Sequence, residues 1–156
     1  MRSLKQVLVG LLVSLSGVGT ASIGGLPGVP KPKTQVEEKV CWVNWGGSHL
    51  SVPEVHESQQ AFEQGADDQA HRSLCKVRGS MKQGRIVETT TFEIQLHNNL
   101  AVSALNCSQH VDDARKQQRL RNLARGYISR AAQRRTSSLE LSDAVKQNLD
   151  LINREW

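Results

Sequence analysis

SLCKVRG (Ser73–Gly79), RIVETTTFEIQL (Arg85–Leu96) and LAVSALNC (Leu100–Cys107) are the three runs on which the fold class turns. All are rich in β-branched and apolar residues. SMKQG separates the first two, and His97-Asn98-Asn99 separates the second from the third. In the middle run Ile86, Phe92, Ile94 and Leu96 share one face of an extended chain, and Val87, Thr89, Thr91, Glu93 and Gln95 share the other. Asn98-Asn99 supplies residues that tolerate positive φ at a tight turn. The expectation is an antiparallel β-meander with one buried and one wet face.

Upstream, KVCWVNW (Lys39–Trp45) is rich in β-formers and ends at Gly46-Gly47, which predicts another strand. The odd separation of Trp42 and Trp45 puts them on opposite faces of it. Ser51 and Glu54 bracket Pro53 at capping-box spacing and open a short helix carrying Val55, Ala61 and Phe62 that stops near Gly65.

Downstream the period becomes helical. Leu120, Leu123, Ala124, Tyr127, Ile128 and Ala131 form one stripe, with Arg119, Arg121, Arg125 and Arg130 outside it. Ser137 and Glu140 repeat the capping-box spacing and start a last helix with the stripe Leu141, Val145, Leu149, Ile152 and Trp156. Together these make a C-terminal amphipathic αα-hairpin. The fold class expected is therefore α+β: a small antiparallel β-meander, an early short helix and a helical hairpin.

The first 21 residues have the layout of a secretory signal peptide. Arg2 and Lys5 precede the mostly apolar run Val7–Val18, and small residues follow at Gly19, Thr20, Ala21 and Ser22. The run is shorter than the ~18 apolar residues a membrane span requires. Cleavage near Ala21 or Ser22 predicts a secreted or periplasmic protein with no transmembrane segment in the mature chain. Residues 22–38, with IGGLPGVPKPK at their start, read as a Gly/Pro-rich linker. One exported domain follows at 39–156, sheet-rich over 39–109 and a helical hairpin over 110–156.

The 156-residue chain has 20 Lys and Arg against 15 Asp and Glu, net +5, and loss of Arg2 and Lys5 lowers this to +3. Eight basic and no acidic residues lie between Arg115 and Arg135, and seven of the eight are Arg. Arg pairs bidentately with phosphate and carboxylate. Arg119, Arg121, Arg125 and Arg130 are thus candidates for contact with an anionic envelope component or an acidic protein partner. The bland alternative is a solvated helix face that answers the acidic remainder of the chain.

Cys41, Cys75 and Cys107 are the disulfide candidates. In an oxidising compartment three cysteines imply one bridge and a spare thiol, or an intermolecular bond. On flanking strands of a meander Cys75 and Cys107 stand about 9.6 Å apart, beyond the ~7 Å a bridge allows, which favours Cys41 paired with one of them. A rival reading joins His71-x3-Cys75 to Cys107-x2-His110 as a zinc site. It requires Cys75 on a helix, and export favours disulfides over zinc thiolates. His56-Glu57 lacks the second His of the zinc-protease motif, and no Walker loop, calcium loop or G-x-S-x-G is present, so no cofactor is implied. Asn106-Cys107-Ser108 fits a glycosylation sequon.

The sequence therefore points to a small exported binding or assembly protein without catalytic residues. One alternative is a small secreted enzyme, hydrolase-like, whose nucleophile, base and orienting group converge only in space. The other is a structural subunit of a cell-envelope assembly, which requires the stripe ending at Trp156 to be exposed in the monomer.

Overall fold

The computed structural model describes residues 39–86 and 89–154. They fall in one compact unit, Glu38–Trp156. The expected signal peptide, the linker and Trp156 lie outside the described residues. A short 3-10 turn, Gly47–Ser51, is followed by five α-helices: α1 Pro53–Glu63, α2 Asp67–Lys82, α3 Thr90–Gln109, α4 Ala114–Ala132 and α5 Leu139–Arg154. Among the described residues there is no strand, and this overturns the α+β expectation with its β-meander.

Each run assigned to the meander is helical for an identifiable reason. SLCKVRG lies inside α2, whose Ala70, Leu74, Val77 and Met81 are buried at helical spacing. Asp67 and Asp68 in its first turn and Lys82 in its last complement the helix dipole. It stops at Gly84, φ +69°, where Gly84 N donates to Met81 O at 2.9 Å and Arg85 N to Ser80 O at 3.0 Å. That pair of bonds is the Schellman stop, and only glycine takes this φ without strain.

The TTT run holds the cap of α3 and not a strand, because the Thr89 hydroxyl accepts a hydrogen bond from Phe92 N at 3.1 Å. From there α3 crosses the middle of the molecule and is buried on every side. Phe92, Ile94 and Leu96 lie inside, but so do Gln95, His97, Asn98 and Asn99. The supposed Asn-Asn turn is thus mid-helix.

The buried amides of α3 have a purpose in the segment Lys39–Trp45, which was expected to be a strand. It runs through a groove between helices as a strap, and its main chain is bonded by side-chain carboxamides. Asn148 of α5 accepts from Cys41 N at 2.6 Å and donates to Cys41 O at 2.8 Å. Asn99 accepts from Val43 N at 3.0 Å and donates to Val43 O at 2.8 Å. Asn98 adds a bond to Cys41 O, Gln95 one each to Val43 O and Asn44 O, and Gln147 one to Lys39 O. N–H and C=O of the same residue point to one side only in extended backbone, so the strap is strand-like without a partner strand. Trp42 stacks on Phe62 at 4.2 Å between ring centroids, whereas Trp45 is buried against Phe92.

Helix α1 begins with Pro53 at its first position and ends at Gly65, φ +71°. The expected cap is not formed, since the Ser51 hydroxyl donates to Ser48 O instead. Asp113 caps α4 by accepting from Lys116 N at 2.9 Å. Ser138, one residue after the expected Ser137, accepts from Leu141 N at the start of α5. Leu141, Val145 and Ile152 of α5 are in the core and Leu149 packs against it partly buried, while Trp156, where the expected stripe ends, is not among the described residues. In α4 the buried residues are Ala124, Tyr127, Ile128 and Ala131, while Leu123 is 44% exposed. No helix among the described residues is long and apolar enough to cross a membrane.

A candidate anion-binding cleft

The four arginines proposed from the sequence do not form one surface. At about 100° per residue, Arg119 and Arg130 fall about 20° apart on one flank of the buried stripe of α4, and Arg121 and Arg125 fall on the other. Arg119 and Arg130 are exposed, and Arg121 and Arg125 are half-buried. Of the four, Arg130 lines the cleft formed by α2, α3 and α4.

That cavity, about 300 Å³, lies between α2, α3 and α4 and is lined by Arg78, Met81, Lys82, Glu93, Leu96, His97, Arg130, Gln133 and Arg134. Among the described residues of this lining, four full cations therefore face one carboxylate. The carboxylate is already engaged, because Arg134 Nη1 lies 2.7 Å from Glu93 Oε2, with Glu93 only 17% exposed. Arg78 is held in place by Tyr127: its Nη1 donates to the phenol oxygen at 3.3 Å and its guanidinium lies 5.3 Å from the ring centre. Lys82 and Arg130 make no ion pair among the described residues. The wall thus holds a surplus of donors and positive charge.

His97 sits in this wall with Nδ1 2.9 Å from Glu93 O. A carbonyl only accepts, so in the neutral ring Nδ1 carries the hydrogen and Nε2 is the acceptor. Burial holds its pKa below the ordinary 6.5, and Arg78, Arg130 and Arg134 push the same way against the bond to Glu93. Burial is the larger cause of this shift, and the three guanidiniums add to it.

Next to this cleft a second cavity, about 470 Å³, lies between α3, α4 and α5. Arg134 belongs to both, and Arg135 and Lys146 extend the positive charge around the second.

The cysteine and histidine candidates are partly brought together. Cys75 is on α2 and not on a strand, so the spacing objection to a Cys75–Cys107 bridge no longer applies. All three cysteines are thiols in this structure, with Cys75 exposed, Cys41 half-buried and Cys107 buried. His71 and Cys75 share a face of α2, with Nε2 3.6 Å from Sγ. His110 lies apart, with Nε2 3.4 Å from Asp67 Oδ2. Among the described residues no group of three or more His, Cys, Asp or Glu is placed to hold a metal ion. Burial, then Asp68 and Asp67, push the Cys107 thiol up to about 12. The sequon is closed in the folded chain, because Ser108 is fully buried and its hydroxyl donates to Leu105 O.

Sequence reasoning missed Arg78, Lys82, His97 and Arg134 as one site. The signal was present in Arg78 and Lys82, four residues apart, but it becomes visible only when SLCKVRG is taken as helix. Comparison with protein-family models, with curated proteins and with solved structures finds no match to this chain.

Proposed function

We propose that the chain is an exported binding protein that takes an anionic partner in the cleft between α2, α3 and α4. The observation that carries this is the convergence of Arg78, Lys82, Arg130 and Arg134 on one cavity, where the single carboxylate among the described lining residues, Glu93, is already paired. Cations held close together repel one another, and an anion relieves that repulsion while using donors that already face the space. Arg supplies the bidentate geometry that phosphate and carboxylate groups fit. The support for export is the signal-like N-terminus of the sequence. Leu141, Val145 and Ile152 of α5 are spent inside the monomer, which weighs against the assembly-subunit alternative.

The test is titration of the full chain with inorganic tripolyphosphate, followed by calorimetry and by the His97 ring signals. Binding is expected to weaken steeply as salt is raised. It should also raise the His97 pKa, since an anion offsets the arginines that depress it. Arg130→Gln and Lys82→Gln should each lower affinity about three- to tenfold, the loss of one charge-assisted contact. Arg119→Gln, about 16 Å along the same helix from Arg130, should change it little. Affinity that is flat with salt, or equal losses from Arg119→Gln and Arg130→Gln, would rule the cleft out.

A further inference from the structure

On the outer part of α2 the imidazole of His71 stands between a thiol and a hydroxyl. Its Nε2 is 3.6 Å from Cys75 Sγ, and its Nδ1 is 2.9 Å from Ser103 Oγ on α3. The Ser103 proton is committed, because Ser103 Oγ donates to Leu100 O at 3.1 Å and a carbonyl can only accept. The serine oxygen therefore accepts from His71 Nδ1–H. This fixes the tautomer and leaves the Nε2 lone pair directed at the thiol. A nucleophile, a base within reach and a third group that orients the base are the parts from which an activated nucleophile is built.

The surroundings set the protonation states. Burial holds the His71 pKa below its ordinary value, with Asp68 opposing, so the ring is neutral near pH 7 and free to take a proton. Burial pushes the Cys75 thiol up, with Arg78 opposing, so Cys75 rests as a thiol and gains from a neighbouring base. The groups facing this pair are Asp68 and Arg78 on α2, Cys107 on α3 and Tyr127 on α4, whose ring lies 6.4 Å from the imidazole. Cys75 itself is exposed, so reagents reach it. One turn further along α2, Arg78 enters the basic cleft.

We propose that Cys75 is a nucleophilic thiol, activated by His71, that exchanges with a small disulfide carrying carboxylate or phosphate groups, the anionic part resting beside Arg78, Lys82 and Arg130. The anionic class rests on the cleft reading above, and the thiol chemistry does not. In the step, the Cys75 proton passes to His71 Nε2 and the thiolate attacks one sulfur of RS–SR. A bond forms between Sγ and that sulfur as the S–S bond of the reagent breaks. The leaving RS⁻ takes the proton from His71 and departs as RSH. Cys75 is oxidised to a mixed disulfide and the other half of the reagent is reduced, so the disulfide is the only oxidant required.

The experiment uses the full chain and two probes, dianionic 5,5′-dithiobis(2-nitrobenzoate) and uncharged 2,2′-dithiodipyridine. Each rate is divided by that of N-acetylcysteine amide with the same probe, and the modified residue is located by peptide mass mapping. Cys75 is expected to react first. Its rate should be nearly flat between about pH 7 and 8.5, where thiol and imidazole share one proton, whereas an ordinary thiol gains about tenfold per pH unit. His71→Asn should restore the ordinary slope and cut the pH 7 rate about tenfold or more. Ser103→Ala should cut it less. Lys82→Gln combined with Arg130→Gln should slow the anionic probe alone. An ordinary slope in the unmodified chain overturns the nucleophile without recourse to any variant. So does indifference to His71→Asn, or a purified chain in which Cys75 is already bonded to Cys107. Dependence on His71 with equal treatment of both probes overturns the anionic class and leaves the nucleophile standing, while the tripolyphosphate titration decides the cleft separately.

Discussion

At the scale of single residues, the side chains of greatest consequence are amides and imidazoles and not the arginines that stand out in the sequence. Asn148 and Asn99 each close a two-bond clasp on one residue of the strap. Removing either amide leaves a largely buried N–H and C=O without their partner, at about 1–3 kcal/mol per group. Asn99→Leu should therefore destabilise the chain by about 2–4 kcal/mol in urea unfolding, accompanied by faster hydrogen exchange at Val43. An unchanged midpoint would mean that the strap contributes nothing to the fold. The two histidines with depressed pKa values make the molecule acid-sensitive. The unfolded chain protonates them near their ordinary value of about 6.5, and the folded chain only at lower pH. Between those values the unfolded state binds more protons. Stability is then fully present above about pH 6.5 and is lost as pH falls through the folded pKa values. Thermal unfolding between pH 5 and 8 should show this decline, and His97→Asn should flatten it. The buried Cys107, with its thiol pushed up to about 12, should resist iodoacetamide at pH 7 until the chain unfolds, long after Cys75 has reacted.

Among the elements, α3 and α5 carry the fold in different ways. α5 brings Leu141, Val145 and Ile152 to the core and Asn148 to the strap. Truncation after Ser138 removes all four, and loss of the far-UV helical signal well beyond one helix is the expected result. A truncated chain that keeps its other helices would return α5 to the role of a docking element. The stop of α2 can be tested alone. Gly84 has φ +69° with open space around it, so Gly84→Ala should cost about 1 kcal/mol from backbone strain and not from a clash. α3 has no such simple handle. It is buried all round, which makes it the wall shared by the strap groove, the basic cleft and the Cys75–His71–Ser103 relay.

In the whole molecule, three of the helices with a wet face are readable from the chain, whereas α2, amphipathic as well, reads as strand from Ser73 on. α1, α4 and α5 are each polar on one side, so the helical period appears in the residue pattern, and proline and glycine mark the ends of α1. α3 could not be read this way. A helix surrounded by α2, α4, α5 and the strap needs no polar side, and its amides face a peptide segment where solvent would be expected. With the polar side gone the 3.6 period disappears, and Phe92-Glu93-Ile94-Gln95-Leu96 alternates as a half-buried strand would. The charge surplus was legible, whereas His71 and Cys75 pair only in a rival zinc reading that the strand placement of Cys75 argues against. The use of either was not legible, because the cleft takes Arg78 and Lys82 from α2, His97 from α3 and Arg130 from α4, and the relay borrows Ser103 from another helix. The sequence by itself determined the one-sided helices α1, α4 and α5, through local period. Only the tertiary structure decided that the central run is helix and not sheet, and which charges meet, because both depend on neighbours distant in the chain.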